Sequence, residues 1–199
     1  MNGKQRARLW MTAAFVATLI SVAIIFAIMG TGEKGASAAL RVSARLSFLL
    51  FWAAYAGGAL ATLFGPMFES MARHGRDFGL AFAAALGVHL GVALWYYHVS
   101  AYPFHLTLLI RAELIGVVWM YVLASFSIKR LRDAISPDLW RRMRTLGMEY
   151  IAVLFAFNFA VFPTSITYFP FFLLVITGMI LRLIVVLRYR RRTNRTASP

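Results

Sequence analysis

Ionisable side chains inside long apolar runs are costly, so each one marks a place where chemistry or a deliberate pairing is expected. Five stand out in this chain: His89, Arg111, Glu113, Glu149 and Arg182. His89 sits among glycine and alanine. Gly79, Ala83, Gly87 and Gly91 recur every four residues, and Ala81, Ala85, His89 and Ala93 form a second series at the same spacing. Small residues let another helix, or a flat ligand, approach the backbone closely. A neutral imidazole in such a place either bonds to a neighbouring helix or offers a nitrogen lone pair to a metal, with heme iron the usual helix-borne case. Glu149 and Arg182 fall near the same end of consecutive runs and are suited to an ion pair joining them. Arg111 and Arg182 also lie close enough to the membrane surfaces to snorkel. His98 and His105 fall at an interface and in a loop, and His74 in another loop beside Gly75. No His-x-x-x-His pair, phosphate loop, dinucleotide fingerprint or nucleophile elbow is present.

The runs that must position these residues span approximately 9–30, 46–68, 78–99, 106–128, 146–162 and 168–187. Crossing a hydrocarbon core of about 30 Å takes roughly 20 apolar residues of helix. Backbone groups inside lipid must satisfy one another, so these runs become helices. The 199 residues are 61% hydrophobic with a mean hydropathy of +0.72. The expected fold class is therefore an all-α membrane protein, a bundle of six transmembrane helices forming one domain over residues 1–199. No extramembrane stretch is long enough for a separate catalytic domain. Residues 193–199 read as a disordered polar tail. The first run carries no ionisable group and is expected at the periphery. Gly65-Pro66 should end or kink the second.

The net charge of +14 is distributed by side of the membrane. Sixteen basic residues fall near the N-terminus, around residues 73–76, between the fourth and fifth runs, and after the sixth. Only Lys34, Arg41, Arg45 and Arg111 fall on the opposite side. The positive-inside rule then places both termini in the cytoplasm. The basic residues flank helices without interleaved aromatics, which favours membrane lipid as their partner and not nucleic acid. Absence of cysteine excludes disulfides, thiolate metal sites and cysteine nucleophiles. Ala36-Ser37-Ala38 has the form of a signal-peptidase site, but the preceding apolar run is longer than the 7–15 residues of a cleaved signal. It is read as a retained first helix.

The order of these elements resembles the ferric-reductase-like transmembrane domain, in its compact six-helix bacterial branch. That branch includes the heme-binding membrane subunit of the methionine-sulfoxide reductase system. The residues that carry the resemblance are Arg76-Asp77-Phe78-Gly79-Leu80-Ala81-Phe82, with His89-Leu90 ten positions after Gly79, then Leu123-Ala124-Ser125 and Leu139-Trp140-Arg141-Arg142-Met143. It covers about residues 40–190. The resemblance implies a membrane electron-transfer protein of a bacterial inner membrane, an oxidoreductase subunit holding heme b through His89. Electrons would come from a quinone or flavoprotein and pass to a separate outer-side acceptor protein. Where the family carries two histidines on its fifth helix, this chain has Arg144 and Phe157. Only His89 is carried over, and Met120, Met143 and Met148 are not distinguished as a second axial ligand. The alternative is a heme-free divergent member acting as a membrane partner or assembly subunit. A small-molecule transporter is a third reading, for which repeated halves or matched broken helices are wanting.

The topology is directly testable because the chain is free of cysteine. Thr31→Cys should react with a membrane-impermeant maleimide on intact cells, and His74→Cys only after permeabilisation. The reverse pattern would invert the assignment.

Overall fold

The computed structural model describes residues 3–101, 106–161 and 167–196; the side chains of residues 3, 4, 129 and 190–196 fall outside that description. Its helices are α1 (Gly3–Met29), α2 (Glu33–Phe64), α3 (Glu69–Arg73), α4 (Gly75–Val99), α5 (Leu108–Ser125), α6 (Lys129–Arg132), α7 (Pro137–Val161) and α8 (Phe169–Thr196), with a 3-10 turn at Gly65–Phe68 between α2 and α3. There is no strand among the described residues. Six helices are long and apolar enough to cross a membrane, in the order expected. The chain is an integral, multi-pass, all-α membrane protein.

Three boundaries differ substantially from the sequence expectation. α2 starts at Glu33, thirteen residues before the predicted start at Leu46, so Lys34, Arg41 and Arg45 lie on a helix and not in a loop. The hinge between α1 and α2 is Gly30 at φ +76°, followed closely by Gly35, where a Cβ would stand 1.8 Å from the Gly30 carbonyl oxygen. Ala36-Ser37-Ala38 is thus inside a helix, with Ala36 fully buried. α7 starts at Pro137 instead of Leu146. Ser136 accepts from the Leu139 N–H at 3.2 Å, and Pro137 occupies the first helical position, where its missing N–H costs nothing. α8 continues through Thr196, so residues 193–196 of the expected disordered tail are helical; 197–199 lie outside the described residues. The break expected at Pro66 occurs: α2 ends at Phe64, Gly65 takes φ +76°, and the 3-10 turn follows.

The tightest seam joins α2 to α4. Ala36, Ala39, Ser43 and Ser47 on α2, and Ala81 and Ala85 on α4, are all fully buried. Small side chains at three- and four-residue spacing bring the two backbones together, which is how helices associate where lipid supplies no hydrophobic drive. α1 caps this pair from outside through Val22, packed with Ala39, Val88 and Val92. Its remaining apolar surface is largely exposed to the bilayer, in keeping with a peripheral helix. On the other side of α2 lies an aromatic core of Phe48, Phe51, Tyr55, Phe82, Phe155 and Phe159. Phe48 meets Phe155 and Phe159 edge-on at centroid separations of 5.1 and 5.0 Å. Arg45, expected in a loop, instead reaches from α2 over the rings of Tyr168 and Phe171 at 4.9 and 5.6 Å.

α5 is held by α7. At Gly147 of α7 a Cβ would lie 3.0 Å from both Leu123 and Trp119 of α5, and at Gly116 of α5 it would lie 2.5 Å from Leu154. Gly147→Val should therefore push α5 away and lower stability by about 1–3 kcal/mol. The check is thermal unfolding in detergent, with Gly58→Val, whose Cβ would meet nothing within 4 Å, as the tolerated control.

Candidate functional site

Three places bring polar side chains together in the bundle. The first is a network of α2, α7 and α8. Arg182 Nε donates to Glu149 Oε1 at 2.8 Å, and the Tyr55 hydroxyl donates to Glu149 Oε2 at 2.5 Å. Arg182 also donates through Nη1 to the Tyr55 carbonyl at 3.3 Å, and its guanidinium stands 4.5 Å above the Tyr55 ring. The expected Glu149–Arg182 pair is formed. Tyr55 was not anticipated, because its partner is ninety-four residues away and nothing local distinguishes it. Every strong acceptor of the carboxylate is engaged, so the arrangement is a three-helix tie and not a reactive centre. Trp52 reinforces it, donating to the Leu174 carbonyl of α8 at 2.7 Å.

The second place is His89. Its Nδ1 lies 2.9 Å from the Ser43 hydroxyl, on the α2–α4 seam. The Leu40 carbonyl lies 3.1 Å from the same hydroxyl and is also a hydrogen-bond partner of the imidazole, so Ser43, Leu40 and His89 form one cluster. The glycine series lies elsewhere. Residues two apart on a helix are about 160° apart around it, so Gly87 and Gly91 turn away from α2. A Cβ on Gly87 would meet the Tyr121 hydroxyl of α5 at 3.4 Å, while at Gly79 and Gly91 it would meet nothing within 4 Å. The two series therefore face different neighbours.

Among the described residues no methionine or second histidine is placed as a partner ligand to His89. Met120 belongs to the aromatic core with Phe82, Met148 packs against that core, and Met143 faces the outer side of α5. None stands opposite His89. Phe157 is 51% exposed and points out of the bundle. No group of three or more metal-binding side chains occurs among the described residues. His98 packs against Trp95 at the exposed end of α4, and His74 bonds to the Ser70 carbonyl. His105 lies outside the described residues. Glu113 of α5 is met by the Asn158 amide of α7, and Asn158 also donates to the Leu154 carbonyl at 3.1 Å.

The third place is a cavity of about 300 Å³ at the basic end of the bundle, between α3, α4, α5 and α7. Arg73, Arg76, Arg132 and Arg144 surround it, and Phe51, Phe82, Met120 and Ile151 form its floor. It ends near Phe82, about two helical turns short of His89. Arg144 of α7 is one of its walls. The adjoining Arg6–Asp77 pair, 2.7 Å apart with the Asp77 side chain 4% exposed, ties the start of α1 to the start of α4.

Comparison with family models, curated proteins and solved structures finds no match.

The tie among α2, α7 and α8 makes a graded prediction. Tyr55→Phe should cost about 1 kcal/mol, one hydrogen bond to a charged group partly open to its surroundings. Glu149→Ala should cost more, about 2 kcal/mol, because it also strands Arg182. Melting temperatures in detergent check the order; equal values for both variants would show that the ion pair contributes nothing.

Proposed function

We propose that this chain is a ferric-reductase-like six-helix subunit of a bacterial inner membrane, which keeps the helical scaffold without a paired-histidine heme and works as a membrane partner or assembly subunit. The observation that carries this reading is the seating of His89. Its ring is anchored to Ser43 on the α2–α4 seam, with no second donor facing it and with Phe157 turned toward lipid. What remains to act with other molecules is lateral apolar surface, chiefly on α1, α5 and α8, and the arginine-rich basic end.

A second reading, a membrane electron-transfer protein holding heme b, is favoured by one specific feature. With Nδ1 donating to Ser43, Nε2 keeps its lone pair, the tautomer a metal-binding histidine takes. Bound heme would supply one-electron transfer, with a quinone or flavoprotein as donor and a separate outer-side protein as acceptor.

An absorption spectrum of the purified protein separates the two. A colourless preparation, free of heme by mass and equally stable as wild type when His89 is replaced by Gln, is the expected result. A stoichiometric Soret band that disappears in His89→Ala would transfer the conclusion to the electron-transfer reading.

A further inference from the structure

We propose that the arginine-rimmed cavity at the basic end is a binding site for one anionic phospholipid, its phosphate held by the rim and an acyl chain entering over the apolar floor. The inference does not depend on the function proposed above. Four arginines, Arg73, Arg76, Arg132 and Arg144, line the cavity from three separate segments of the chain, and no carboxylate lines it among the described residues. Two of them have weak partners: Arg73 lies 4.0 Å from Glu69 and Arg132 lies 3.8 Å from Asp133, both pairs exposed. Arg76 and Arg144 form no ion pair among the described residues, whereas nearby Arg6 and Arg141 do. Four like charges facing one space repel one another, and the arrangement gains most from an anion placed between them.

The remainder of the lining selects the kind of anion. Below the arginines the walls are Phe82, Met120 and Ile151, and Gly79 leaves that side of α4 without a side chain. A soluble phosphate would leave this floor unfilled. A molecule with an anionic head and an apolar tail matches both halves, at the depth where lipid headgroups meet the hydrocarbon. Basic pockets between transmembrane helices on the cytoplasmic side are the usual setting for such recognition.

Native mass spectrometry of the full chain in detergent tests this, with short-chain phosphatidylglycerol, the matching phosphatidylcholine and inorganic phosphate as probes. One phosphatidylglycerol should be retained in preference to phosphatidylcholine, and phosphate at the same concentration should not displace it. Each rim arginine should contribute about fivefold to affinity, so R76A with R144A should weaken binding roughly thirtyfold. R141A with R142A removes the same charge outside the cavity and should change binding less than about threefold. Gly79→Phe keeps every arginine but fills the floor, and should also abolish retention. Melting temperatures within a few degrees of wild type establish that each variant is folded. Equal retention of the two lipids, displacement by inorganic phosphate, equal losses in the two double variants, or undiminished binding in Gly79→Phe would each overturn the proposal.

Discussion

Close approach of α2 and α4 is the constraint on which the rest of the bundle depends. In a bilayer, apolar side chains gain little by leaving lipid for protein, so association must come from dispersion contacts at short range and from satisfied polar groups. Alanine and serine along both helices provide the short range, and all six of the residues forming that seam are fully buried. α2 meets α4 through these small residues and, further along, through Phe51, whose ring lies 5.4 Å from that of Phe82, while Phe48 and Tyr55 reach α7 and α8. The bundle is therefore organised around α2.

Polar groups within the bundle follow the same division. His89 and Ser43 form a hydrogen-bonded pair inside the small-residue seam, where the buried Ser47 hydroxyl has no hydrogen-bond partner. Tyr55, Glu149 and Arg182 form theirs on the aromatic side. Each pairing leaves its members occupied. The contrast lies at the basic end, where Arg76 and Arg144 face a cavity without a carboxylate. Arg144 thus gives that region an anion-attracting character.

Several features were legible from residue order because they rest on local physics. The six crossings follow from run length against bilayer thickness. The turn at Gly65-Pro66 follows from a missing donor and a permissive φ. The Glu149–Arg182 pair follows from two charges at matching depth on consecutive helices, each with few other ways to be satisfied. Two starts were misplaced because hydropathy weighs side chains and ignores caps. At α7, Ser136-Pro137-Asp138 is a strong helix-start signal, outweighed in a hydropathy reading by the arginines that follow. At α2, Lys34, Arg41 and Arg45 lower the hydropathy of a stretch whose alanines and serines are buried against α4.

Sequence alone determined that the chain is helical, crosses a membrane six times and concentrates positive charge at one end, since these depend on composition along short windows and on the dielectric of the bilayer. Tertiary structure decided which side chains meet. Residues two apart on α4 point to opposite neighbours, so His89 belongs to α2 while Gly87 belongs to α5. Arginines drawn from residues 73, 76, 132 and 144 surround one cavity only because helices far apart in the chain end beside each other. Spacing along a helix sets the direction of each side chain, but what lies in that direction is settled by packing between helices.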